Sequence, residues 1–252
     1  HGGTVRPEVY LDESYVNVNH STPRTWYVAE EGPWVEKPSG HGPRLILVHA
    51  ITADGWVEGA QLVFQAKQRT GDYHGQMNFE NFHKWFAESL LPHIPAASLI
   101  MMDNAPYHHV YVDGAFYPTS STPKSVLQQW LQQHHPAQYQ CAMIKAELLA
   151  LCRQLCPKPQ YELDRLAEAR DHRIVRTPQY HPELQPIEAC WAVVKNHCAA
   201  TCDYTAKGLR AHVAEGFNKV TPATCQAAIA DVRTEEDRYW CEDMEDDEEL
   251  EL

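Results

Sequence analysis

No apolar run in this sequence is long enough to cross a bilayer, so the chain is read as soluble and without a membrane partner. Basic residues are scarce, 21 Lys and Arg against 34 Asp and Glu, for a formal net charge of -13. Taken at face value, that balance argues against the basic surface by which proteins usually hold nucleic acid. The imbalance is local, however. Glu235 to Leu252 holds eleven acids against the single Arg238, which leaves only -3 for the remainder. Residues 234–252 are therefore expected to form an acidic, disordered tail, either a solvated solubiliser or a mimic of DNA that engages a partner. Closely spaced CxxC pairs are also absent from the eight cysteines (141, 152, 156, 190, 198, 202, 225 and 241), and their scatter fits reduced intracellular thiols. Cys152/Cys156 and Cys198/Cys202, with His197 beside the second pair, leave room for a structural zinc site, but the same spacing describes small residues on a packed helix face. The chain opens at His1 without an initiator methionine, so it is read as a fragment or processed product, and the lack of a targeting signal carries no weight.

What is present suffices for one sizeable core: 252 residues, 44% of them hydrophobic. Val9–Tyr15 reads as a first strand, Trp26–Val28 as a short extended piece and Glu31–Pro43 as a loop. Arg44–Ile51 is an almost wholly apolar strand, turned at Ala53–Gly55 into a hairpin that Leu62–Phe64 prolongs. Asn78–Leu91 places Phe79, Phe82, Trp85, Phe86 and Leu90 at helical spacing, with Pro92 and Pro95 ending the helix. Ser98–Met102 then returns as a strand parallel to the first. Helices are expected over 124–133, 142–155 and 163–169, a last strand over 172–175, and helices over 185–200, 207–219 and 221–232.

Three acids stand at the ends of these elements. Asp12 and Glu13 interrupt the first strand, where alternation sends Tyr10, Asp12 and Ser14 to one face and Leu11, Glu13 and Tyr15 to the other, so only one acid can enter a shared site. Asp103 closes the strand of SLIMMDNAPYH, a position equally suited to a turn former. Glu188 follows YHPELQP, where Tyr180, His181 and Pro182 are expected to be extended and Pro186 to open a helix whose positive end favours a carboxylate. Taken alone, Glu188 is equally the N-terminal acid of an ordinary amphipathic helix. Carboxylates gathered in one place repel, so one of them should resist ionisation, and such a site suits a hard divalent cation.

LDES, MDNAPYH and YHPELQPIEACWAVVK together resemble the catalytic domain of mariner-type DDE transposases and their domesticated relatives. The resemblance runs from about Val9 to Lys195 and continues more weakly to Trp240. It implies an α/β, ribonuclease H-like mixed sheet flanked by helices, spanning 1–233, with Asp12, Asp103 and Glu188 as a metal-binding catalytic triad. It further implies two Mg²⁺ or Mn²⁺ ions, double-stranded DNA as substrate, a homodimer, and a nuclear or otherwise intracellular setting. The gap between Asp103 and Glu188 exceeds that of typical mariner enzymes, which implies a helical insertion at about 118–170, before the last strand and the catalytic helix. Its helices are read as a lid, although SVLQQWLQQH and IKAELLALCRQ faintly resemble the helix-loop-helix of SAP-type DNA-binding modules. His108, Asn104 and Lys195 are candidates to contact DNA or to support the triad. Glu13, Asp54, Asp113 and Glu183 are read as surface or supporting acids. The rival function is a domesticated, non-catalytic scaffold that binds DNA or protein.

Overall fold

Strand β1 (Glu8–Asn17) lies at the centre of the sheet because its residues are buried on both faces: Val9, Tyr10, Leu11 and Val16 are all almost inaccessible. β2 (Arg44–Thr52), buried along nearly its whole length, runs antiparallel beside it and pairs Asp12 with His49 and Glu13 with Val48. A strand buried on both faces needs cover on both sides. The structure, a computed structural model, describes residues 6–22, 39–40, 42–66, 77–112, 117–156 and 160–250, with side chains as far as 244. The expected extended piece at Trp26–Val28, most of the loop at 31–43, and Asp113 lie outside the described residues.

β3 (Gly55–Trp56) and β4 (Leu62–Gln65) both pair antiparallel with β2, as the turn at Ala53–Gly55 leads one to expect. β5 (Leu99–Met102) runs parallel to β1, and β6 (Arg173–Arg176) runs parallel to β5. The result is a mixed six-stranded sheet of order β3-β2-β1-β5-β6 with β4 on β2, flanked by helices as expected.

One covering helix is α1 (Phe79–Trp85), capped by Asn78, whose side chain accepts from the Asn81 amide at 2.9 Å. It continues as a π-helical turn, Phe86–Leu90. Phe82, Trp85, Phe86 and Leu90 are buried, as their spacing requires. The other layer consists of α5 (Ile187–Ala200), α6 (Ala206–Phe217) and α7 (Pro222–Leu250). Ile187, Cys190, Trp191, Val194, Leu209, Val213 and Phe217 join Tyr10, Leu45, Leu47 and Ile51 of the sheet in one core.

Residues His109–Arg165 form a compact unit of their own, a little earlier than the expected insertion at 118–170. It contains α2 (Lys124–His134), α3 (Lys145–Leu155) and the start of α4 (Glu162–Glu168). Leu127, Leu131, Leu148 and Cys152 are its fully buried core.

The disorder expected after Arg233 is replaced by helix, since α7 runs unbroken to Leu250. Local ion pairs support the part of this segment as far as Glu242. Arg238 bridges Glu235 and Glu242, each at 2.8 Å, and Arg233 joins Glu236 on the same helix and Glu8 on β1. No helix among the described residues is long and apolar enough to cross a membrane.

Candidate active site

β1 delivers its two adjacent acids to opposite faces, as alternation demands. Asp12, partly accessible, faces the α5 layer, where the Trp191 indole Nε1–H donates to its Oδ2 at 3.0 Å. Glu13 is buried, not a surface acid. The Tyr107 hydroxyl donates to its Oε1 at 2.9 Å, and His108 Nε2 lies 3.4 Å from the same oxygen. Nothing in the local sequence marks Glu13 as internal; its burial depends on partners 94 and 95 positions away.

Asp103 leaves the end of β5, where the backbone turns through Pro106–His108. Its Oδ1 accepts from the Ala105 amide at 3.0 Å, an Asx-type turn, and also meets His108 Nδ1 at 2.8 Å. His108 thus links Asp103 to Glu13 from a fully buried position, with its ring 4.2 Å from that of Phe82. Burial works against a charged imidazole, but the contacts with Asp103 and Glu13 prevail and raise it to about 9. Glu13, Asp103 and His108 also lie close enough together to hold a metal ion. The two carboxylates favour the protonated ring, which bridges them, whereas a histidine ligand must be neutral. The Asn104 side-chain amide donates to the Thr177 carbonyl at 2.5 Å, tying the end of β5 to the segment after β6.

Glu188 stands in the first turn of α5, exposed, with Pro186 at the helix start as expected. The segment before it differs from expectation. Tyr180 adopts a left-handed conformation (φ 66°), and Pro182–Leu184 forms a 3₁₀ turn instead of an extended run. The residue before the proline, His181, does avoid the helical region (φ -117°, ψ 64°). Side-chain bonds hold this turn: Glu183 accepts from the Tyr239 hydroxyl of α7 at 2.6 Å and meets His181 Nδ1 at 2.8 Å. The Tyr239 hydrogen bond and then His181 hold the Glu183 carboxyl down at about 2.

Asp12, Asp103 and Glu188, which come from three separate elements, line one cleft of about 690 Å³. Asn104, Thr177, Tyr180, His181 and Gln185 complete its wall. Lys195 is not part of this lining; its neighbour is His20, whose imidazole is held down by burial and then by the lysine charge. Desolvation pushes the Asp12 carboxyl well above the ordinary carboxylate range, and Glu13, Glu188 and Asp103 push it further. An all-oxygen donor set with one reluctantly ionised member fits a divalent cation, whose charge would relieve that repulsion.

A mixed sheet that gathers carboxylates from the middle of a central strand, the end of its parallel neighbour and the start of a crossing helix defines the ribonuclease H-like class. The model of the DDE superfamily endonuclease family matches residues 7–207, and the chain belongs to that family. Similar solved structures include the Mos1 transposase paired-end complex with left transposon end, at TM-score 0.54 and 12% identity over 91% of this chain and 53% of that one. The Mos1 mariner paired end complex with Mn gives 0.52 and 13%, covering 90% and 52%. The same complex with Mg gives 0.51 and 11%, covering 90% and 53%. The fold is thus that of a mariner-type DDE domain, and the chain spans about half the length of these matched chains. None of the curated proteins compared with the chain matches it.

Proposed function

We propose that this chain is the catalytic domain of a mariner-type transposase, which cuts and rejoins double-stranded DNA by divalent-metal-dependent phosphoryl transfer. The convergence of Asp12, Asp103 and Glu188 on one cleft, where burial first and the neighbouring acids next raise the Asp12 carboxyl above the ordinary carboxylate range, carries this reading. These three residues would hold Mg²⁺ or Mn²⁺, two ions in the complete site. Bound there, the metal would activate the attacking water or 3′-hydroxyl and neutralise charge on the scissile phosphate.

The protein's own part is positioning. Trp191 fixes Asp12, and His108 fixes Asp103 by its bond to Oδ1. Tyr180, 95% exposed at the cleft rim, offers an aromatic face on which a nucleotide base can stack. Double-stranded DNA as substrate implies work in the nucleus or wherever the cell keeps DNA, and the paired-end assemblies of similar structures favour a homodimer.

The test is nicking of supercoiled DNA with Mn²⁺. Asp12→Ala, Asp103→Ala and Glu188→Ala should each abolish it, with a metal-free melt showing that each variant still folds; Glu188→Ala, which removes an exposed repelling charge, should preserve or raise the metal-free Tm. Glu58→Ala, on the exposed turn after β3, is the control. Glu183 cannot serve as one, because its bonds to Tyr239 and His181 shape the cleft wall. Nicking that survives any of the three substitutions overturns the assignment.

The acidic helix α7 favours a second reading, a domesticated scaffold without catalysis, because Glu236 and Asp243 line a groove beside His181 and would repel DNA there. A wild type that melts at the same temperature with and without millimolar Mn²⁺, and never nicks, would select that reading.

A further inference from the structure

A second group of metal-binding side chains lies at the far end of α5. His197 is nine residues beyond Glu188, about 13 Å along the helix axis, and α6 brings His212 and Glu215 against it. His197 Nε2 is 3.1 Å from Glu215 Oε2, and the two imidazole rings stand nearly perpendicular (81°) with centroids 6.4 Å apart. Donor atoms of all three residues lie within 4.8 Å of one another.

His212 shows that this is more than a surface ion pair. Both of its ring nitrogens are buried, and among the described residues neither finds a hydrogen-bond partner. A neutral imidazole carries one donor and one acceptor, and burying both unpaired is unfavourable, so a histidine kept merely for packing is a poor explanation. The backbone holds the group in register. A β-carbon on Gly216 would come within 3.2 Å of the Val194 Cα, so the glycine lets α6 approach α5 closely one residue after Glu215 and three before His197. His212 and Glu215, spaced i, i+3, share one helix face. Asp203 adds a negative charge that interacts with His212.

We propose that His197, His212 and Glu215 form a structural Zn²⁺ site that fastens α6 to α5, the helix that carries Glu188. Two imidazoles and one carboxylate suit a borderline-soft ion over Mg²⁺, and three protein ligands leave a fourth position for water. Tetrahedral Zn²⁺, at about 2.0–2.2 Å from each ligand, needs donors roughly 3.4 Å apart. With every donor within 4.8 Å of the others, no gap has to close by more than about 1.4 Å. Glu215, with 61% of its side chain exposed, already stands 3.1 Å from His197 Nε2 and has room to adjust.

The experiment is Zn²⁺ titration of chelator-stripped full chain, carrying Asp103→Ala so that the acidic cleft is weakened as a competitor. One equivalent of Zn²⁺ should raise the Tm where the same concentration of Mg²⁺ does not, and Co²⁺ should give the visible d–d bands of a tetrahedral site. His197→Gln and His212→Gln should each weaken Zn²⁺ binding at least tenfold. Glu215→Gln, on an exposed residue that folding does not need, should weaken it and perturb the Co²⁺ bands. Failure of Zn²⁺ to bind, or equal affinity in the histidine variants and the parent, overturns the proposal. Neither result touches the nicking assignment, which is read at the other end of α5.

Discussion

Trp191 donates its indole N–H to Asp12 at 3.0 Å across 179 residues of sequence, and Trp191 lies one helical turn after Glu188. A single helix therefore supplies one acid of the cleft and positions another. Ile187, Cys190 and Val194 bury that helix against the sheet, so the placement of both acids depends on apolar packing.

Trp191→Phe keeps a buried aromatic ring and removes this hydrogen bond, together with part of the packing against Trp56 and Phe217. Loss of a bond to a carboxylate is worth about 1.5–3 kcal/mol, so Mn²⁺-dependent nicking should fall about tenfold or more. A nicking time course beside a thermal melt checks this. Unchanged nicking would show that Asp12 needs no such support.

Tyr180 combines a left-handed backbone with almost full exposure at the cleft rim. Tyr180→Gly should raise stability by about 1 kcal/mol in urea unfolding, because glycine adopts this conformation without strain. The same change should lower affinity for DNA by about 1–3 kcal/mol if a base stacks on the ring. A stability gain without any loss in a DNA-binding titration would assign the tyrosine no contact.

His49 is buried beneath Trp56, with ring centroids 4.4 Å apart, and burial lowers its imidazole to about 4. Between pH 6.5 and 4 the unfolded chain takes up a proton that the folded chain refuses. Stability from this residue is therefore complete above pH 6.5, falls as pH drops toward 4, and is constant below. The full effect is about 3 kcal/mol. His49→Phe should flatten that part of a stability-against-pH curve in metal-free buffer, and an unchanged slope would place the acid sensitivity elsewhere.

The paired acids of α7 make a prediction in the opposite sense to an ordinary DNA-binding surface. Glu236→Gln with Asp243→Asn removes two negative charges from the groove beside His181 and leaves Tyr239 in place. Non-specific DNA binding should tighten, most visibly at low salt, since these charges act by screened repulsion. Equal affinity across a salt series would make α7 a neutral bystander.

Much of the architecture could be read from residue order because it follows local rules. The apolar run of β2, the aromatic spacing of α1, the parallel return of β5 and Pro186 at the head of α5 all express periodicity or backbone restriction. Asp103 and Glu188 could be singled out because each marks the end or start of a recognisable element, whereas alternation left Asp12 and Glu13 as equal candidates and only the family resemblance chose between them. Tertiary structure decided what depends on distant partners. Glu13 became an internal residue only because Tyr107 and His108 come to meet it, and Lys195 found its neighbour in His20, 175 positions away in sequence. The turn at Tyr180 and the helix beyond Arg233 were likewise beyond local rules. The bonds of Tyr239 to Glu183 and of Arg233 to Glu8 add long-range ties to the local ion pairs of α7, and side chains so far apart in sequence meet only once the chain has folded.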